Sequence, residues 1–183
     1  ETTPAKAPEV LVLKDGTGTY TTPEGALYLT VEMVGGGSGG GGAGGNGSNF
    51  PTIKGADGGS TTFGSSLLTC TGGKNASGTG TGGSATVNSP AKEIIAVSGG
   101  SGIGWQHNYG KNTPMTATIG GGNPFGSGGS SSFVYGIGGY GAQLSGADGS
   151  FTGNGGGSGG YIKAIITSPS SSYPYAVGTG GSG

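Results

Sequence analysis

The sequence has no arginine, one histidine (His107), one cysteine (Cys70), and seven lysines against eight carboxylates, for a net charge of −1 over 183 residues. So weak a charge leaves no electrostatic footprint for a nucleic acid partner. A lone cysteine excludes an internal disulfide framework, and with no second cysteine or histidine beside them Cys70 and His107 make no metal cluster. No metal or other cofactor is expected. No apolar run approaches the ~18 residues of a membrane-spanning helix, so no membrane insertion is expected. Helices are also excluded, because no window offers ten residues of 3.6-residue apolar periodicity free of Gly or Pro. The chain starts at Glu1 rather than Met, which reads as a mature product or an excised fragment.

What the sequence has in excess is glycine, at 50 residues. Such sequence is commonly a flexible linker, but here strand-like segments separate the glycine runs. Leu27, Leu29, Val31 and Met33 alternate with mostly polar neighbours, and Tyr161–Thr167 is rich in β-branched residues. Collagen fails, since glycine does not recur strictly at every third position and only nine prolines are present. Ordered glycine remains. Each one costs roughly 0.5–1 kcal/mol more backbone entropy than alanine, and without side chains the compensation must come from backbone hydrogen bonds. A three-residue-per-turn helix of the polyproline II type makes no internal hydrogen bonds. Its glycine version can pack side by side and bond to its neighbours. The expected fold is therefore irregular/all-β: a polyglycine II helix bundle, or sandwich, with a small β-strand base and essentially no α-helix.

Residues 1–16 read as a linker or the end of a stalk, with Val10–Leu13 as a candidate edge strand, and 17–183 as one glycine-rich domain. Thr17–Thr21 and Leu27–Val34 read as a hairpin across Thr22-Pro23-Glu24-Gly25. Glycine runs follow at 35–47, 55–60, 72–73, 78–83, 98–104, 120–122, 126–129, 136–142, 146–149, 153–160 and 178–183. Strand-like pieces lie between them at Ser66–Thr71, Glu93–Ser98, Met115–Ile119, Tyr161–Thr167 and Tyr173–Val177. "GADG" occurs at 55 and again at 146, and "AVSGGSG" at 96 echoes "AVGTGGSG" at 176.

Several motifs imitate active sites. Gly35, Gly37 and Gly40 fit a dinucleotide-binding turn, yet 41–56 cannot form the helix that would hold a pyrophosphate. Gly-x-Ser-x-Gly around Ser38 and Ser158 has neither the strand–helix elbow nor a nearby base. Asp57 and Asp148, in the GADG repeats, read as turn caps bonding amides two residues on. Asn46 and Asn75 open glycosylation sequons that a chain this rich in Asn and Ser produces by chance. Cys70 reads as a small buried residue rather than a reactive thiol. No catalytic constellation survives, and the chain reads as a non-enzyme.

The segments that interrupt the glycine are aromatic and amide-rich: 46–54, 103–116, 123–126, 130–136 and 140–154. Stacked rods joined end to end must place their connections at the two ends, and such loops gathered at one end would make a recognition surface. The candidates are Trp105, His107 and Tyr109, then Phe50, Phe125, Phe133, Tyr135, Tyr140 and Phe151, acting by stacking on sugar faces or filling apolar pockets. The competing role for each ring is packing over the protein's own faces.

Three stretches carry a resemblance: "GTYTTPEGALYLTVEMVGGGSGGGG", "GADGGSTTFGSSLLTCTGG" (55–73) and "GGSGGYIKAIITSPSSSYPYAVGTGGSG" (156–183). They are similar, in order and at both ends, to glycine-rich tip domains of bacteriophage tail fibres and the T-even-type receptor-binding adhesins. The resemblance implies polyglycine II helices in a sandwich and distal loops that bind a bacterial outer-membrane protein or surface glycan, setting host range. It implies a place at the tip of the virion's tail fibre, extracellular, with the rest of the fibre and a possible homotrimer as partners. Leu27–Met33 and Tyr161–Val177 would form a β base near the fibre. An ice-binding polyglycine II bundle, or a structural glycine-rich matrix protein, is the alternative.

Overall fold

A computed structural model describes residues 7–43, 52–75, 79–104, 106–109, 118–129, 135–146 and 149–183. These residues are all-β, with no helix among them. The strands are β1 Thr17–Thr21, β2 Tyr28–Val34, β3 Gly42–Ala43, β4 Thr52–Ile53, β5 Thr61–Phe63, β6 Leu68–Cys70, β7 Ala85–Val87, β8 Lys92–Val97, β9 Gln106–Tyr109, β10 Gln143–Gly146, β11 Gly149–Thr152, β12 Tyr161–Thr167 and β13 Ser172–Ala176.

Two antiparallel sheets, β1-β13-β5-β6-β7 and β2-β12-β8, share one apolar core. Met33, Ile162, Ala164 and Ile166 come from one sheet, and Phe63, Leu68, Cys70 and Tyr173 from the other. Alternation puts them there: Leu29, Val31 and Met33 turn inward from β2, while Tyr28, Thr30 and Glu32 are exposed. On β12, Ile162, Ala164 and Ile166 do the same. Leu68, Ile162 and Ile166 are completely buried, and Phe63 stacks on Tyr173 with ring centroids 4.9 Å apart.

The expected hairpin between the first two strands does not form. β1 pairs with β13, and β2 pairs with β12 with Val34 opposite Tyr161. The turn exists, with Ala26 donating to the Pro23 carbonyl and Gly25 at φ +78°. It carries the chain from one sheet to the other instead of folding it back, so the two strands pair with different partners. Thr22 donates to Ser171 and Ser168 to Leu27, so the return chain bends at the same corner. Leu27 lies at this bend and is 82% exposed, outside the alternating set it was expected to join. Val10–Leu13 belongs to no strand, and its first three residues are exposed. Thr118 and Ile119 also lie outside any strand, and 115–117 fall outside the described residues.

Beyond Val34 and before Tyr161 the ladder changes character. Gly35, Ser38 and Gly41 donate to Gly160, Gly157 and Asn154, so donor and acceptor each advance three residues per bond, in opposite directions. A β ladder repeats every two. The 153–160 run is buried along its whole length and bonds to six other segments. Its amides at 153, 156 and 159 donate to Ala142, Gly139 and Gly136, those at 155 and 158 to Ile103 and Gly100, and that of Gly160 to Thr71. Its carbonyls accept from the 35–41 segment, from Gly80 and Gly83, and from Gly121. Glycine is required by proximity: a Cβ on Gly157 would be driven into the Thr81 carbonyl.

Three polar side chains sit inside these runs. The Ser38 hydroxyl accepts from the Gly157 amide at 2.8 Å, and that of Ser158 donates to the Gly122 carbonyl at 2.6 Å. Asn154 donates to Asn75 Oδ1 at 2.7 Å, and Asn75 in turn donates to the Gly39 carbonyl. Each is nearly or fully buried with a polar partner, as a dry interior requires.

Candidate functional site

The 35–41 and 153–160 segments lead away from the two-sheet core, and each meets short strands at its far end. The first continues into β3, which pairs with β4, and the second begins where β11 ends. At that end β10, β11 and β9 form a three-stranded antiparallel sheet. β9 and β11 come from segments some forty residues apart, 103–116 and 140–154. Gly149 is opposite Tyr109, Ser150 opposite Asn108, Phe151 opposite His107 and Thr152 opposite Gln106. Phe151 is also opposite Leu144, so Leu144, Phe151 and His107 form one row across the sheet.

Of the nine candidate residues, His107, Tyr109 and Phe151 are thus brought onto neighbouring strands at the far end. Trp105, Phe50 and Phe133 lie outside the described residues. Phe125 and Tyr135 go elsewhere. Phe125 packs edge-on against Tyr161 at 5.3 Å and against Tyr135 at 6.5 Å. Tyr161 opens β12, so this aromatic group stands beside the two-sheet core, at the opposite end from β9–β11. Its geometry is locally fixed: Asn123 and Gly126 exchange backbone bonds around Pro124, the Asn123 carboxamide oxygen accepts from the Phe125 amide at 2.9 Å, and its nitrogen donates to the Tyr135 carbonyl. Tyr140 lies two residues before Ala142, which bonds to Gly41 and Gly153, and is 44% exposed. The described candidates therefore do not all gather at one end, because the glycine segments are short and reverse direction at both.

Leu144 was missed by the sequence reading, which took 146–149 as a glycine run. β10 and β11 pair with Gly146 opposite Gly149, so Gln143-Leu144-Ser145 and Ser150-Phe151-Thr152 alternate on paired strands. That alternation around a Gly/Asp turn was the available signal.

Among the described residues, Asp57 ties its segment to Lys74 and Asn75. Asp57 does not cap its own turn. One carboxylate oxygen accepts the Asn75 amide at 2.8 Å and the other meets Lys74 Nζ at 3.1 Å. The Asn75 amide first, and the Lys74 ammonium second, hold this carboxyl below its ordinary range. Asp148 lies outside the described residues. Tyr161 donates to Glu32 at 2.7 Å, and burial together with that carboxylate pushes its hydroxyl up to about 12. Burial likewise pushes the Cys70 thiol up to about 12, where the thiolate needed for nucleophilic chemistry does not form near neutral pH. Among the described residues no cluster of His, Cys, Asp or Glu could hold a metal ion.

No protein family, curated protein or solved structure matches this chain.

Proposed function

We propose that this chain is the receptor-binding tip of a bacteriophage tail fibre, built on polyglycine II helices and attaching to a bacterial surface protein or glycan through the end that carries β9, β10 and β11. Two observations support the scaffold. Backbone bonds between the glycine segments advance by three residues, the repeat of a threefold helix without internal bonds. The 153–160 segment has six bonded neighbours, the number that surrounds a rod in close packing.

The binding reading rests on one feature. β9 and β11, distant in sequence, pair at the end farthest from the two-sheet core. Binding loops held on a rigid support are the usual arrangement for recognition. His107, Tyr109 and Phe151, with Trp105 next to β9, are the residues assigned to the receptor. Phe125 packs on the protein's own Tyr161 and Tyr135 packs on Phe125, so both are assigned to the support.

A fluorescent fusion of the chain, trimerised to raise avidity, would be washed over a panel of live bacterial strains. Saturable binding to a few strains, lost in mutants lacking one surface component, is the expected result. Alanine at both Trp105 and Tyr109 should abolish that binding without lowering the melting temperature, whereas Phe125→Ala should leave binding intact. No binding to any strain by the trimerised fusion would overturn the reading, and thermal hysteresis in the same sample would replace it with ice binding.

A further inference from the structure

The two innermost glycine segments are not equivalently surrounded. The 153–160 segment bonds to 35–41, 136–142, Thr71, Gly80 with Gly83, Gly100 with Ile103, and Gly121. Among the described residues, 35–41 has five bonded neighbours. Gly35, Ser38 and Gly41 donate to 153–160, and Gly36 and Gly39 donate to Gly59 and Ala56. Its carbonyls accept from Gly73, Gly181, and Gly139 with Ala142. The amides of Gly37 and Gly40 have no acceptor among the described residues, although both residues are buried.

The position of the gap follows from which neighbours bond each other. Thr71 links to 153–160, Gly73 to Gly58, and Gly59 and Ala56 to Thr179 and Ser182, which gives an unbroken arc from 153–160 round to 177–183. On the other side, 136–142 is bonded to 153–160. Among the described residues, no backbone bond closes the circle between 136–142 and 177–183. Donors at 35, 38 and 41 take one direction and those at 36 and 39 a second, so the threefold repeat aims 37 and 40 at this sixth, open position.

We propose that this open row takes an extended glycine-rich segment of a second polypeptide, whose carbonyls three residues apart accept from the Gly37 and Gly40 amides. The occupant is set by the geometry. Two donors three residues apart match the polyglycine II repeat and mismatch the two-residue repeat of an added β-strand. The approach is backbone to backbone: a Cβ on Gly37 or Gly40 would be driven into the carbonyls of Ile137 and Tyr140 in the adjoining wall, and every filled position round 35–41 is bonded at the same closeness. A segment with side chains on the facing side would be held out of reach of both amides. The inference rests on the threefold reading of the segments, not on the receptor reading.

The test is a titration of the full chain, followed by backbone amide NMR, with a peptide of the 35–41 sequence flanked by lysines. In the free protein, Gly37 and Gly40 should exchange faster than Gly36, Ser38 and Gly39. At about ten times its Kd, the peptide should slow both about tenfold, while a peptide with valine at every third position should not. A Cβ at Gly180 would meet nothing closer than the Gly37 carbonyl at 4.0 Å, so Gly180→Trp should fold and should block the effect. Gly37 and Gly40 already protected in the free protein, or unmoved by the peptide, would overturn the proposal. Loss of the period-three protection throughout 35–41 would instead sink the threefold reading itself.

Discussion

The two-sheet core and the glycine segments beyond it are interiors of opposite kinds in one chain. Around Ile162, Ile166 and Leu68 the space between sheets is filled by side chains, and the backbone bonds run within each sheet. One residue before Tyr161 the interior contains almost no side chains, and backbone bonds run outward to neighbouring segments on every side. Burial of apolar area stabilises the first, whereas dense amide–carbonyl pairing and close contact must stabilise the second. The two therefore fail in opposite ways: the core when atoms are removed, the glycine segments when one is added.

The largest effect should come from adding a methyl group. Gly157→Ala drives a Cβ into the Thr81 carbonyl, where backbone on all sides cannot move aside. A loss of more than about 4 kcal/mol is expected, comparable with total stability and read as loss of a cooperative melting transition. Next is removal from the core: Ile162→Ala should cost about 2–5 kcal/mol in urea unfolding. Asn154→Ala, which leaves Asn75 Oδ1 without its 2.7 Å donor, should cost about 1–3 kcal/mol.

Alkaline pH separates the core from its border. The folded chain keeps the Cys70 and Tyr161 protons, both with pKa raised to about 12, when the unfolded chain has already released its own. Stability should then fall as pH rises from about 9 to about 12. In Cys70→Ala the fall should begin nearer 10, a shift visible in urea midpoints. The smallest effect is at Asp57, whose depressed carboxyl adds stability above the ordinary carboxylate range and loses it as pH falls through its lowered value. Its side chain is 47% exposed to screening solvent. The wild type should therefore exceed Asp57→Asn only slightly in melting temperature, and the difference should vanish in strong acid.

The parts legible in the sequence were those where side chains carry the pattern. Tyr161–Thr167 is a strand with the boundaries its β-branched run gave it, and Met33 and Ile162 point inward as alternation requires. Pairing was less legible. Pro23 to Gly25 marks a turn, but nothing local says whether a turn closes a hairpin or carries the chain to a second sheet. Within the glycine runs the lack of side chains removed the signal altogether: which run neighbours which is decided by backbone bonds that every glycine offers alike. The candidate site shows the same limit. Phe125 and Phe151 look equivalent in sequence, yet one packs on Tyr161 and the other lies opposite His107 at the far end.

Hydrogen exchange at Gly153–Gly160, resolved by residue and set beside Tyr161–Thr167 of the core, tests the central claim most directly. If the glycine segments form a backbone-bonded interior, their amides should be protected to nearly the level of β12 and should open with it in one cooperative unit. Exchange of 153–160 at the rate of unstructured glycine, with β12 still protected, would contradict the account and return the glycine to the status of linker.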